Sequence, residues 1–110
     1  MVKNRLTEKE KDALSELKAE ISRRYGLLWM KIFGSRARGD FDKESDIDVV
    51  IVLNEVNWAI EKDIYELCFY ASLKYDILIS PIIYSKREID DKFTKATPFF
   101  RTIEKEGIII

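Results

Sequence analysis

The strongest constraint on this chain lies in eighteen consecutive residues, Gly34 to Ile51, which read GSRARGDFDKESDIDVVI. A Gly-Ser pair opens a tight basic turn, and two aspartates separated by one residue begin an apolar strand. The turn suits phosphate, because the start of a helix points unpaired N–H groups at an anion. The aspartates suit a divalent cation. The segment therefore predicts a site for a metal-bound nucleoside triphosphate.

The turn itself is formed by Gly34 and the residues that follow it. Gly34 comes directly after a predicted strand, where the chain must turn sharply and let a ligand approach its backbone. Ser35 is placed to cap the short helix behind it, so that its N–H and hydroxyl face the same point. Arg36 and Arg38 add positive charge, but two positions apart on a helix they cannot both face one phosphate. An ordinary capped strand-to-helix turn has the same pattern, so Gly34 and Ser35 alone do not decide for a ligand.

Asp46 and Asp48 favour a binding site over an ordinary capped turn. On a strand, side chains two residues apart project from one face, with Cα atoms about 6–7 Å apart. Two carboxylates so placed repel each other unless a cation lies between them. Hard oxygen ligands suit Mg²⁺ or Mn²⁺ rather than Zn²⁺. Solvated polar residues at a strand end are the alternative, but Ile47 and the run VVIVL attach both acids to a core strand.

Asp76 is the candidate for a third acid, which would complete a metal site able to serve two ions. It is predicted to open the third strand, where the alternation Asp76, Leu78, Ser80 gives it one defined face. If that strand lies beside the second, Asp76 approaches Asp46 and Asp48. The competing interpretation makes Asp76 a residue that only ends the preceding helix.

Hydrophobic periodicity and capping residues predict elements in the order αβ(turn)βαβαα. The predicted elements are a helix at Thr7–Tyr25, strands at Leu27–Phe33 and Asp46–Leu53, a helix from about Asn57 to Tyr75, a strand at Asp76–Tyr84, helices starting after Ser85 and at Thr97, and a short terminal strand at Ile108–Ile110. The first strand is nearly all apolar and is expected to be buried on both faces. Pro81 predicts an edge position or a bulge. The order indicates a single α/β domain over residues 1–110, with a small mixed β-sheet flanked by helices.

Composition narrows the classes of function. Nineteen basic and twenty acidic side chains nearly balance, so no global field attracts nucleic acid. One cysteine, Cys68, excludes an intramolecular disulfide and predicts a reducing, cytoplasmic location. The chain starts without an apolar signal segment, and no apolar run is long enough to cross a membrane. Because histidine is absent, acid–base or metal chemistry falls to carboxylates, Lys, Tyr or Cys.

The spacing of these residues resembles the DNA polymerase β-like nucleotidyltransferase superfamily. Its signature is Gly-Ser, a spacer of about ten residues, Asp-x-Asp, and a further acid on a later strand. Gly34-Ser35, the spacer 36–45, Asp46-Ile47-Asp48 and Asp76 follow that order. The length and the phrase GSRARG…SDIDVVI look most like the minimal nucleotidyltransferase group, the MntA-type antitoxins. The resemblance implies the polymerase β-like nucleotidyltransferase fold.

The resemblance also implies a mechanism. Gly34 and Ser35 would hold the triphosphate of ATP, and Asp46 and Asp48 would hold Mg²⁺ (or Mn²⁺) ions. Asp76 would bind a second ion and help deprotonate a hydroxyl that attacks the α-phosphate and expels pyrophosphate. Members of the minimal group transfer AMP to a tyrosine of a partner toxin of the HEPN class. Such a partner is therefore expected here.

Two other functions stay open from the residues alone. A non-catalytic antitoxin would act by covering its partner, although covering does not need three acids. A nucleic-acid-binding module is disfavoured, because no basic stripe interleaved with aromatic residues is present.

Larger relatives carry a second, often helical domain that grips the base or the acceptor, and this chain is expected to lack one. Base and acceptor choice would then depend on a partner or on a second subunit of a homo-oligomer. The candidate residues for such a surface are Trp58, Phe93, Phe99, Phe100 and Ile108–Ile110. Core packing is the alternative role for each of them, and it is the preferred one for Phe99, Phe100 and Ile103.

Overall fold

The computed structural model describes residues 6–39 and 46–110, so the predicted polar loop at 40–45 lies outside the described residues. The elements are, in chain order, α1 (Glu8–Arg24), β1 (Leu27–Phe33), α2 (Ser35–Arg38), β2 (Ile47–Leu53), α3 (Trp58–Tyr75), β3 (Ile79–Ser85), α4 (Lys86–Asp90), α5 (Lys92–Ala96), α6 (Pro98–Glu106) and β4 (Ile108–Ile109). Across these two ranges, no helix combines the length and the apolar character that a membrane crossing requires.

The four strands form one mixed sheet in the order β3-β2-β1-β4. β1 runs antiparallel to β2 and to β4, whereas β2 and β3 are parallel. A parallel pair cannot be joined by a tight hairpin, and α3 supplies the crossover between its two strands. This arrangement confirms the predicted α/β class with a small mixed sheet flanked by helices.

The two faces of β2 contribute to two separate cores. Alternate residues of β2 pack with α1 and α3 on one face, namely Ile47, Val49, Ile51 and Leu53. Val50 and Val52 turn to the other face and pack with Ile103 of α6. Since side chains alternate along a strand, Asp48 shares its face with Val50 and Val52. The aspartate therefore stands at the beginning of the α6 face.

Capping residues begin the helices where the sequence predicts. Thr7 and Glu10 form the capping box of α1, and Ser85 and Glu88 form that of α4. Thr97 caps α6, with proline at the first helical position. These local signals were reliable because each depends on two or three neighbouring residues only.

Other predictions were wrong or incomplete. The third strand begins at Ile79 and not at Asp76, because Asp76 has a φ of 53° and ends α3 in the left-handed conformation. β1 is not buried on both faces throughout, since Leu28 is exposed near its start. The short helix α5 has no counterpart in the predicted order. By contrast, β3 is an edge strand, as Pro81 predicts.

Candidate active site

The two aspartates lie where β2 begins, between both of its neighbouring strands. Asp46 directly precedes the strand and is exposed, whereas Asp48 is half-buried within it. Asp48 is in register with Phe33, the last residue of β1, and with Ser80, the second residue of β3. The acidic pair thus stands at one end of the sheet, held by a central strand.

Gly34 brings the turn after β1 against Asp48. Its φ is 70°, in the left-handed region that favours glycine. A Cβ atom at this position would lie 2.7 Å from Oδ2 of Asp48, so any side chain would displace the carboxylate. The turn and the acidic pair therefore form one site. The sequence predicts both parts, and the structure adds their contact.

The charge of Asp48 is stabilised less than that of a carboxylate in water. Burial raises the pKa of the Asp48 carboxyl above its ordinary value, and the negative charge of Asp46 raises it further. The positive charge of Arg38 acts in the opposite direction. A partly desolvated carboxylate beside a second one is a good ligand for a cation, because the cation relieves both penalties.

Arg36 and Arg38 leave the short helix α2 in different directions. Arg36 is only 3% exposed, and its Nη1 lies 2.7 Å from Oε2 of Glu10 on α1. Glu10 is buried as well, and its Oε1 also accepts from the N–H of Thr7. Arg36 therefore joins α2 to α1, and its role in nucleotide binding stays a prediction. The sequence pattern did not predict which of the two arginines is buried and paired with Glu10.

Arg38 is the arginine of α2 that remains near the acidic pair. Its side chain is 45% exposed, and its Nη1 lies 3.4 Å from Oε2 of Glu106 at the end of α6. Its charge also acts on Asp48. The two arginines of α2 thus contact different helices, Arg36 contacting α1 and Arg38 contacting α6.

Ser80 also lies beside the acidic pair, and no sequence pattern predicted a role for it. Its Oγ donates a hydrogen bond of 3.0 Å to Oδ2 of Asp46. The alternation on the predicted third strand already placed Ser80 on a defined face. The missing signal was the register between β2 and β3, which no local pattern contains.

Asp76 is not brought to the acidic pair by the fold. It is exposed at the end of α3, three residues before β3 begins. Within residues 6–39 and 46–110, no group of three or more His, Cys, Asp or Glu side chains could hold a metal ion. The structure thus places Asp46 and Asp48 together at the start of β2, and the role of Asp76 as a third ligand stays a prediction.

The donor set at this end of the sheet suits a hard divalent cation. Two carboxylates and a hydroxyl are oxygen groups of the kind that Mg²⁺ and Mn²⁺ prefer. The single thiol of the chain is unsuited to this or to nucleophilic chemistry, because burial raises the pKa of Cys68 to about 12. Of the groups that the composition leaves for acid–base or metal chemistry, carboxylates, Lys and Tyr remain.

Some residues of the predicted partner surface are exposed in the structure and others are buried. Trp58 and Phe93 are 74% and 73% exposed, and Ile109 is exposed as well. Phe100 and Ile103 are buried, as the preference for core packing predicts. Phe99 is exposed, although its ring meets Phe33 edge to face at 5.5 Å between centroids. The expectation that Phe99 is a core residue was therefore wrong.

Comparison with known proteins gives a family match and close sequence relatives. A family model described as "Nucleotidyltransferase domain" matches residues 14–109. A relative from Methanocaldococcus jannaschii is 41% identical over 94% of this chain and 92% of its own length. A second protein of that organism is 33% identical over 92% of this chain and 97% of its own length. Both carry the name "putative protein adenylyltransferase".

Solved structures share the fold at low sequence identity. A toxin–antitoxin structure with AMP-PNP superposes with a TM-score of 0.61 at 14% identity, covering 94% of this chain and 72% of that one. A protein described as a "putative minimal nucleotidyltransferase" gives 0.56 at 20% identity, covering 91% and 94%. A third, described as a "putative nucleotidyltransferase" from Sulfolobus solfataricus, gives 0.54 at 24% identity, covering 89% and 76%. These likenesses confirm the predicted fold.

Proposed function

The chain belongs to the nucleotidyltransferase domain family, and we propose that it transfers AMP from ATP to a hydroxyl group of a partner protein. The observation that supports this most directly is the contact between the Gly34 turn and Asp48, which joins the two predicted halves of the site. The names of the M. jannaschii relatives support a protein as the acceptor and AMP as the transferred group.

Asp46 and Asp48 would hold a Mg²⁺ ion, for which Mn²⁺ can substitute. Asp48 lies within β2, where a strand holds its side chain more rigidly than a loop does, and Asp46 directly precedes this strand. When bound, the cation supplies charge neutralisation for the phosphate oxygens as pyrophosphate leaves. The protein's own contribution is to present two negative charges at a fixed spacing on one strand face.

The Gly34-Ser35 turn would bind the triphosphate next to that cation. Its glycine leaves free the space beside Asp48 that any side chain would fill. Arg38, which is exposed and acts electrostatically on Asp48, is the α2 arginine that would neutralise phosphate charge. In the reaction, an acceptor oxygen attacks the α-phosphorus and pyrophosphate departs. Asp76 would take part in removing the acceptor's proton only if the bound partner or substrate brings it nearer.

The acceptor would be a toxin of the HEPN class, modified on a tyrosine. This follows the resemblance to the minimal nucleotidyltransferase group, and the toxin–antitoxin assembly among the fold neighbours motivates the same choice. The exposed aromatic side chains of Trp58 and Phe93 are candidates for contact with such a partner. Copurification followed by mass measurement of the partner would identify it.

The test is transfer of label from ATP labelled at the α-phosphate to a co-expressed partner, with Mg²⁺ present. Nucleotidyl transfer predicts that α-label enters the partner and that γ-label does not. The Asp46→Ala/Asp48→Ala variant is expected to lose transfer, whereas Asp90→Asn, an exposed acid on α4, serves as the matched control and retains it. Transfer that persists in the double variant would exclude the assigned roles.

The second candidate is an antitoxin that acts by covering its partner without catalysis. It is favoured by one observation: the described residues bring only two of the three predicted acids together. This candidate predicts that Asp46→Ala/Asp48→Ala neutralises the toxin as well as the unaltered chain does, and that no label is transferred by either protein.

A further inference from the structure

Ser80 occupies the position on β3 that lies directly beside the acidic pair. β2 and β3 are parallel, and Ser80 is the register partner of Asp48. Residues in register on neighbouring strands project to the same face, so Ser80 shares the face of both aspartates. None of the seven residues of β3, ISPIIYS, is acidic. The contribution of this strand to the site is therefore a hydroxyl.

The hydroxyl of Ser80 is already engaged with one of the acids. Its Oγ donates to Oδ2 of Asp46 at 3.0 Å, which is within the range of an ordinary O–H···O hydrogen bond. Asp46 directly precedes β2 and is exposed. This hydrogen bond restricts the rotation of the Asp46 carboxylate and engages one of its two oxygens, Oδ2.

The start of β3 is itself anchored, which gives the Ser80 hydroxyl a defined place. The N–H of Ile47 donates to the carbonyl of Leu78 at 2.8 Å, on the β2 side. The N–H of Ile79 donates to Oγ of Ser72 at 3.2 Å, on the α3 side. The residues immediately before Ser80 are therefore held from both directions. A side chain on such a segment can orient a ligand residue accurately.

We propose that Ser80 is a positioning residue of the cation site, whose hydroxyl orients the Asp46 carboxylate towards the cation shared with Asp48. The inference rests on the proposed function for the existence of that cation. It assigns the β3 contribution to Ser80 and gives Asp76 no part in binding the first cation. Partners that orient metal ligands typically change metal affinity 10–100-fold when they are removed, so the effect is measurable.

The test is titration with Mn²⁺ in the absence of nucleotide, with free Mn²⁺ measured by electron paramagnetic resonance. Ser80→Ala is expected to weaken Mn²⁺ binding about tenfold, the lower end of that range. Ser80→Thr keeps the hydroxyl and suits a strand, so it is expected to bind within about threefold of the unaltered protein. Asp90→Asn, which removes an exposed acid on α4, is expected to bind as the unaltered protein does. Thermal midpoints of the Ser80 variants should agree, which separates positioning from loss of structure.

Several results would overturn the assignment. Unchanged affinity in Ser80→Ala would show that the hydroxyl does not orient a ligand. An equal loss in Ser80→Thr and Ser80→Ala would attribute the effect to the local backbone and not to the hydroxyl. A loss in Asp90→Asn as large as that in Ser80→Ala would attribute the effect to causes outside the site. Mn²⁺ binding that survives in Asp48→Asn would instead contradict the cation site of the proposed function, so the two failures are distinguishable.

Discussion

The face of β2 that packs on α1 and α3 is apolar along its whole length, whereas the face that packs on α6 begins with an aspartate. Ile47, Val49, Ile51 and Leu53 on the first face are fully buried. On the second face, Asp48 precedes the buried pair Val50 and Val52. The two faces of β2 therefore differ in role. The first face contributes only to core packing, whereas the second has a charged residue, Asp48, at one of its positions.

The short helix α2 repeats this division. Arg36 points to the α1 side, where it forms a buried ion pair with Glu10. Arg38 points to the α6 side, where it contacts Glu106 and influences Asp48. The two arginines are two positions apart and carry the same charge, yet one supports the fold and the other lies at the site. The face on which a residue falls therefore predicts its role better than its chemical type does.

The largest expected effect is that of Asp48→Asn on activity. Loss of a charged cation ligand removes several kcal/mol of transition-state stabilisation, so label transfer should fall at least about a thousandfold. The free energy of unfolding should not fall, because burial disfavours the charge that is removed. Label transfer and urea denaturation of the same preparations check both. A loss of stability in this variant would mean that the Asp48 charge contributes to folding on the face of β2 that packs on α6.

The two arginines offer the next contrast. Arg36→Met leaves Glu10 buried without its partner and should lower the free energy of unfolding by about 3–5 kcal/mol. Arg38→Met breaks an exposed pair and should cost less than about 1 kcal/mol. It should instead raise the KM for ATP about tenfold, the loss expected for one charge-assisted contact. Denaturation curves and ATP titrations separate these outcomes.

A control strengthens the assignment of Arg36. In Glu10→Gln/Arg36→Met neither buried charge remains, and Gln can still serve in the capping box with Thr7. This double variant should recover much of the stability that Arg36→Met alone loses. If Arg38→Met proved as destabilising as Arg36→Met, the assignment of Arg36 to the fold and of Arg38 to the site would be incorrect.

A smaller effect is expected on the face of β2 that packs on α1 and α3. Ile51→Val removes one buried methylene group and should lower the free energy of unfolding by about 0.5–1.5 kcal/mol. Label transfer per folded molecule should be unchanged, because Ile51 faces away from the acidic pair. Denaturation midpoints and transfer rates test this. A clear loss of transfer at full folding would show that packing on the α1 and α3 side also controls the site.

The smallest effect concerns pH. Burial raises the pKa of Asp48 above its ordinary value in the native state, so the native state binds its proton more tightly than the unfolded chain does. The charge therefore destabilises the fold at pH 7, and this penalty is relieved as the pH falls through the raised native pKa. The advantage in unfolding free energy of Asp48→Asn over the unaltered protein should be largest near pH 7 and shrink on acidification. An advantage that grows on acidification would give the shift the opposite sign.

Local signals in the sequence predicted most of the fold. Thr7 with Glu10 and Ser85 with Glu88 set the beginnings of helices, because a cap acts within three residues of itself. Alternation and apolar runs located β1 and β2, and Pro81 indicated the edge strand. The predicted start of β3 was three residues too early. The alternation of Asp76, Leu78 and Ser80 is typical of a strand, but the backbone at Asp76 is left-handed and ends α3.

At the site, the sequence by itself determined which groups are present: a glycine where only glycine fits, two acids on one strand face, and basic residues after the turn. The spacing of these residues is a property of the chain, and it identified the nucleotidyltransferase family.

Tertiary structure alone decided which of these groups meet. The pairing of Ser80 with Asp48, the approach of Gly34 to the carboxylate, and the burial of Arg36 against Glu10 each depend on two elements that are distant along the chain. The physical reason is that strand register and helix packing are set by how the cores on both faces of the sheet are filled. No short stretch of sequence contains that information.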